Sequence, residues 1–107
     1  MDGSITSIDK MVSDFNAMLN TKGYTNGVVR EVTPNVLVHS HSHAFDVLAK
    51  VLQGEITLVA QGESSTYEIG DIFDMPQLCL HEEVSGPEGV TYIYGTRVGQ
   101  VNSASRV

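Results

Sequence analysis

The stretch VLVHSHSHAFDVLAKVLQG, residues 36–54, decides how this chain is read. Three of its four histidines fall there at every second position: His39, His41 and His43. Period-two alternation marks a β-strand, in which residues i and i+2 face the same side. In a regular strand Leu37, His39, His41 and His43 therefore share one face. Neighbouring imidazoles on that face stand about 6.6 Å apart at Cα, twice the strand rise. Two of them can tilt onto one metal ion at about 2.0–2.1 Å each. The outer pair, about 13 Å apart by the same rise, cannot both reach it from a straight strand. One strand thus offers two ligands, and a third has to come from elsewhere. His81, in PQLCLHEEV (residues 76–84), is the remaining histidine. An H-x-H pair is short and arises by chance, so spacing alone weighs metal binding evenly against a row of ordinary strand histidines.

Outward from this stretch the strand pattern continues. GVVREV, NVLVHSHSH, VLAKVL, EITLVA, STYEI, DIFDM, LHEEV and VTYIYG are rich in Val, Ile, Leu, Thr and Tyr. Turn signals separate them at Pro34-Asn35, Gly54, Gly62, Gly70-Asp71, Pro76 and Gly86-Pro87. Many short strands between regular turns indicate a sandwich or barrel. The N-terminal segment TSIDKMVSDFNAML differs. Its apolar residues Ile8, Met11, Val12, Phe15, Met18 and Leu19 recur at spacings of three and four, which predicts an amphipathic helix over about residues 7–20. Thr6 or Ser7 caps its start, Asp9 sits in the first turn, and Lys22 with Gly23 ends it. The barrel is expected over about residues 27–96. The small, polar tail, residues 97–107, is expected to be mobile or to dock on a partner subunit.

Composition narrows the function classes. The chain has 107 residues, enough for one domain spanning 1–107. Its formal net charge is -7, with six Lys and Arg spread along it, so no basic patch is available to grip nucleic acid or an anionic membrane surface. Cys79 is alone, which excludes an internal disulfide and suits a reducing compartment. The N-terminus lacks an apolar signal core, and no run approaches the roughly 20 apolar residues of a membrane span. A cytoplasmic, soluble protein is expected.

The spacing around the histidines resembles the cupin family. Its first motif is Gly, five residues, His-x-His, three or four residues, Glu, six residues, Gly. Its second is Gly, five residues, Pro-x-Gly, two residues, His, three residues, Asn. Here His41-Ser42-His43 is followed by three residues, Val47, six residues and Gly54. The second motif reads Gly70, DIFDM, Pro76-Gln77-Leu78, CL, His81, EEV, Ser85. VLQGEITLV and YEIGDIFDMP look like the hairpin and turn between cupin strands, and the resemblance covers roughly residues 28–95. It implies an all-β fold: an antiparallel cupin β-barrel, or double-stranded β-helix (jelly roll), with a short N-terminal helix, as in small single-domain cupins. It also implies a divalent transition metal (Zn, Fe, Ni, Mn or Cu) held by His41, His43 and His81, a small-molecule ligand or substrate, and a homodimer.

The departures from the pattern carry information. Asn35 stands at the first glycine, Leu78 at the Pro-x-Gly glycine and Ser85 at the final Asn. The family's Glu ligand falls on Val47, so the resemblance carries over three histidines and no carboxylate. Asp46 is adjacent but of opposite parity, and only a bulge would turn it inward. A shifted register pairs His39 with His41 and then Asp46, at the expense of the six-residue spacing to Gly54. Three imidazoles without a carboxylate make a cationic centre, which favours an anionic substrate. Glu82 and Glu83 flank His81, and at most one of them points inward; a hydrogen bond to a ligand histidine is one role, a solvated face the simpler one. Tyr92 and Tyr94 share a face, for core or dimer packing or for lining the cavity. Cys79 has the parity of His81 and is read as a small core residue.

Two functions follow from the resemblance. One is a metal-dependent oxygenase, isomerase or lyase acting on a small molecule. The other is a non-catalytic small-ligand-binding or sensor module that keeps the barrel, a reading the missing carboxylate favours.

Overall fold

In a computed structural model of the chain, residues 7–98 are described. One helix precedes six antiparallel strands, an all-β fold with a short N-terminal helix as expected. Thr6 and most of the tail, residues 99–107, lie outside the described residues.

The helix α1 (Ser7–Thr21) buries Phe15 and Leu19, the centre of its apolar stripe. Its end is a Schellman motif: Gly23 takes φ 84°, Tyr24 N–H donates to Leu19 O at 2.8 Å, and Gly23 N–H donates to Asn20 O at 3.2 Å. The Asn16 side chain then accepts from Gly27 N–H at 2.7 Å, fixing where the chain enters the sheet. Phe15 and Leu19 pack with Leu52 and Ile93 of the sheet, with Ile8, Met11, Val12, Met18, Tyr24 and Leu48 around them. Each fully buried apolar side chain in such a cluster contributes about 1.5–3 kcal/mol of transfer free energy.

Two long strands form the spine: β3 (Phe45–Ala60) and β6 (His81–Val98), paired from Phe45↔Val98 to Val59↔Glu82. Four short strands flank them. β1 (Val28–Val32) and β2 (Leu37–His41) both pair with β6, whereas β4 (Glu63–Glu68) and β5 (Ile72–Met75) both pair with β3. Two of the expected breaks therefore fall inside strands. Gly54 lies within β3, and Gly86-Pro87 within β6. The reason is a close backbone approach. Gly54 takes φ 74° and Gly89 φ 80°, and a Cβ on Gly54 would collide with Gly89 O. The ladder shifts register on either side, between Val51 and Gln53 and between Gly54 and Ile56. These irregularities switch which face points inward. On β6 the buried residues that point inward are His81, Glu83 and Ser85 before the shift, and Val90 and Tyr92 beyond it.

The other breaks are turns. Gln61 and Gly62, with φ 54° and 80°, form the two-residue link of the β3–β4 hairpin. Asn35 adopts the left-handed conformation its position suggested, φ 58°. The inner core gathers Val47, Ala49, Val51, Ile56, Leu58, Phe73, Met75, Val90 and Tyr92, with Val32, Tyr67 and Tyr94 packed against it. The sheet thus curls over its own interior. No described helix is long and apolar enough to cross a membrane.

Candidate metal centre

His41, His43, His81 and Glu83 converge at one end of this interior. Their ligand-type atoms all lie within 4.8 Å of one another. Ring centroids are separated by 4.4 Å for His41–His81, 4.9 Å for His41–His43 and 5.3 Å for His43–His81.

Backbone geometry selects these histidines. β2 is not regular: Val38 pairs with Glu83 and His41 with His81, so β2 spends one residue more than β6 over this interval. The bulge puts Val38 and His41 on the inner face although they are three apart. The expectation that Leu37, His39, His41 and His43 share a face is corrected by this shift. His39 is exposed and stands outside the cluster. The shifted register is corrected with it, because Asp46 is engaged elsewhere. One Asp46 oxygen accepts from Gln77 N–H at 2.9 Å, and the other lies 3.3 Å from the Arg97 guanidinium.

The Gln77 contact belongs to a clamp on the loop before His81. Leu78 N–H donates to His43 O at 2.7 Å, so the loop is tied to both ends of the His43–Asp46 segment. The clamp holds Leu78 at φ 63°, where the family pattern has glycine, with its side chain 72% exposed. Ser85, where the pattern has Asn, is buried; its hydroxyl donates to Thr33 O at 2.6 Å and accepts from Val36 N–H at 2.8 Å. It thereby pins the β1–β2 connection beside the site. Cys79 is half-buried in the loop rather than in the core, alongside Leu78 and Leu80.

The largest correction concerns Glu83. It shares the face of His81 two residues earlier, is 6% exposed, and is the carboxylate that Val47 does not supply. Its Oε2 lies 3.2 Å from His81 Nε2 and 3.4 Å from His41 Nε2. Its parity with His81 is visible in the sequence, but the face is buried against β2 rather than solvated. Val47 meanwhile points inward as an apolar wall, 4% exposed.

The other ring nitrogens test whether a cation fits. His41 Nδ1 donates to His39 O at 2.8 Å, and His81 Nδ1 donates to Cys79 O at 3.0 Å. A carbonyl can only accept, so each neutral ring is fixed with its proton on Nδ1 and its lone pair on Nε2. Both Nε2 lone pairs then face the same carboxylate oxygen. Three electron-pair donors so arranged repel unless positive charge sits among them, a metal ion or a bound proton. His43 has its pKa below the ordinary 6.5, first through burial and then through His41 and His81, with Glu83 opposing. Its ring is neutral at neutral pH and available as a further nitrogen donor. Phe45 stacks on it, centroids 5.1 Å apart.

The cluster opens on a cavity of about 130 Å³ lined by Arg30, Val38, Phe45, Val47, Met75, Tyr92 and Tyr94 together with His41, His43 and Glu83. Tyr92 is also core, so both of its expected roles hold. Burial, and next the Glu83 charge, push its hydroxyl up to about 12. Arg30 is a further member of this lining, beyond the residues that the motifs mark. It shares the parity of Val32, which packs on the core, and that was the available signal.

Among solved structures, 186 chains match. KdgF from a Halomonas species aligns at TM-score 0.57 and 22% identity over 65% of this chain and 66% of that one. A cupin superfamily protein from Desulfitobacterium hafniense aligns at TM-score 0.61 and 17% identity, over 67% of this chain and 65% of its own. The polyketide cyclase RemF from Streptomyces resistomycificus aligns at TM-score 0.60 and 24% identity, over 69% and 55%. The chain thus spans between 55% and 66% of these relatives' length. Comparison with protein-family models and with curated proteins gave no match. At these identities the likeness shows the fold, which is the cupin, double-stranded β-helix fold.

Proposed function

We propose that this cupin-fold chain binds one divalent transition metal through His41 Nε2, a nitrogen of His43, His81 Nε2 and the Glu83 carboxylate, and uses it to act on a small molecule in the adjoining cavity. The observation that carries the reading is the pair of Nε2 atoms held at 3.2 and 3.4 Å from one buried carboxylate oxygen, each ring locked by a backbone carbonyl. Four donors on one side of an accessible cavity leave positions for water or substrate on a five- or six-coordinate ion, an open rather than a closed structural arrangement. Three imidazoles and a carboxylate suit Zn, Fe, Ni, Mn or Cu.

A metal ion bound there supplies Lewis-acid polarisation of a coordinating oxygen. The chain's own residues do the rest. Val38, Val47, Met75 and Phe45 present apolar walls that limit water around the reacting group. Tyr92, protonated at neutral pH, offers a hydroxyl from the cavity wall. The backbone acceptors at His39 O and Cys79 O keep the two imidazoles aligned. Metal-assisted isomerisation, lyase chemistry or oxygenation all fit such a site. The ground for a purely ligand-binding module was the lack of a carboxylate, and Glu83 removes it. A cytoplasmic homodimer completes the proposal. Val28 and Val29, 54% and 50% exposed on the edge strand β1, are suited to a partner subunit.

The test is elemental analysis of untagged protein, as purified and after reconstitution, with His41→Ala, His81→Ala, Glu83→Ala and His39→Ala variants. One ion per chain, lost in the first three variants and kept in His39→Ala, is expected. Less than about a tenth of an ion per chain after reconstitution, far below stoichiometric loading of a preformed site, would sink the proposal.

A further inference from the structure

Arg30 is the one cation among the residues lining the histidine cavity. It stands on β1 directly opposite Tyr92 of β6, close enough for its charge to act on the Tyr92 hydroxyl. Other cations of the chain are committed differently: Lys10 pairs with Asp14, and Arg97 with Asp46. No carboxylate pairs with Arg30 among the ion pairs of the described residues. In a chain with thirteen acidic residues, a guanidinium with no acidic partner among the described residues thus lines the histidine cavity.

The absence of a carboxylate at position 47 had suggested an anionic substrate, and Glu83 cancels that argument. Arg30 supplies a different one. A guanidinium presents planar, forked donors that match a carboxylate in two-point contact. Tyr92, opposite it on β6, adds a neutral hydroxyl to the same cavity wall. Val38, Phe45, Val47 and Met75 line the same cavity, so Arg30 and the histidine cluster are polar groups set among apolar walls. An occupant with one coordinating end and one carboxylate end meets both.

We propose that Arg30, with the Tyr92 hydroxyl beside it, recognises a carboxylate of the molecule that enters the cavity, so that the substrate class is small organic acids. This rests on the metal reading above, because the far end of the same molecule is placed at the histidine cluster. Arg30 is then a specificity-determining residue. Were its role only to cover Tyr92 with its aliphatic stem, substitution would alter stability and leave ligand preference unchanged.

Cobalt(II)-loaded full-length protein provides a readout other than activity, the visible absorption bands of the bound ion. Succinate, its neutral diamide and inorganic phosphate are titrated into the wild type and into Arg30→Gln, Arg30→Lys and Lys10→Gln. The last is a charge-matched control on the exposed helix face. Succinate is expected to perturb the wild-type bands and to bind at least about tenfold more weakly to Arg30→Gln, the scale of a charge-assisted hydrogen bond. Arg30→Lys should be intermediate and Lys10→Gln unchanged, and the diamide should not distinguish the proteins. Cobalt bound at one per chain, with succinate binding equally to wild type and Arg30→Gln or to neither, overturns the assignment of Arg30 and leaves the metal site standing. Tighter, Arg30-dependent binding of phosphate overturns the carboxylate assignment. Failure of the chain to take up cobalt overturns the metal reading and this inference together.

Discussion

Glu83→Gln should separate the metal site from the fold, because it acts with opposite sign on the two. In the metal-free protein Glu83 Oε2 lies 3.2 Å from His81 Nε2 and 3.4 Å from His41 Nε2, and wherever those rings are neutral it faces their lone pairs. A glutamine amide can donate an N–H to one of them without changing side-chain volume. Metal-free Glu83→Gln should therefore be at least as stable as the wild type at pH 7. With metal the order reverses. At a free-metal concentration 100 times the dissociation constant, binding stabilises the wild type by about 2.7 kcal/mol. For a domain of this size that is a rise in Tm of about 11–22 °C, at about 4–8 °C per kcal/mol. Replacing a ligand should weaken binding by no less than the roughly 10–100-fold seen for outer-shell partners. At a 100-fold loss and the same metal concentration, the stabilisation falls to about 0.4 kcal/mol and the shift to about 2–3 °C. Differential scanning calorimetry of both proteins, with chelator and with zinc or nickel, reads all four values. Equal metal-induced shifts in the two proteins would refute the role of Glu83. A large destabilisation of metal-free Glu83→Gln would show that the carboxylate holds the fold through a bound proton rather than waiting for a metal.

Three further outcomes follow from the backbone and the cavity. Gly54→Ala places a Cβ against Gly89 O at φ 74°, and should lower stability by at least about 2 kcal/mol in urea unfolding. Leu78→Gly relieves a left-handed, exposed leucine at φ 63°; after the entropy gained by the unfolded chain it should raise stability by about 0.5 kcal/mol, and a loss of more than about 1 kcal/mol would contradict the strain argument. Tyr92 has its hydroxyl pushed up to about 12, so its un-ionised form is favoured by folding. The unfolded chain loses that proton first, near the ordinary 10.0, and stability should fall as pH rises from there towards 12. Absorbance at 295 nm should show one late-titrating tyrosine that Tyr92→Phe removes.

Much of this was legible in the chain. Set against the cupin motifs, the spacings of Gly70, Pro76 and His81 matched the second motif, and the distance to Gly54 favoured His41 and His43 over His39. The helix was written in the spacing of Phe15 and Leu19, and its stop in Gly23. What could not be read was non-local. The bulge between Val38 and His41 arises from pairing with β6, and no period-two rule anticipates a strand that spends an extra residue. Gly54 looked like a turn because its conformation is glycine-specific, yet the demand comes from Gly89, thirty-five positions on. Glu83 had the right parity beside His81, but parity does not say which face is covered. Only the strand opposite, carrying Val38 and His41, buries it. Arg30 was hidden for the same reason, since its partner Tyr92 is brought beside it by the β1–β6 ladder.

The most direct measurement is a crystal structure of the metal-loaded protein with anomalous data at the metal edge. The account predicts one ion per chain bound by His41 Nε2, a nitrogen of His43, His81 Nε2 and a Glu83 oxygen, at about 2.0–2.2 Å. His39 should remain at the surface, and His41 Nδ1 and His81 Nδ1 should still contact the carbonyls of His39 and Cys79. An ion seated on His39 or Asp46, or a fully loaded crystal in which Glu83 turns away from the ion, would contradict it.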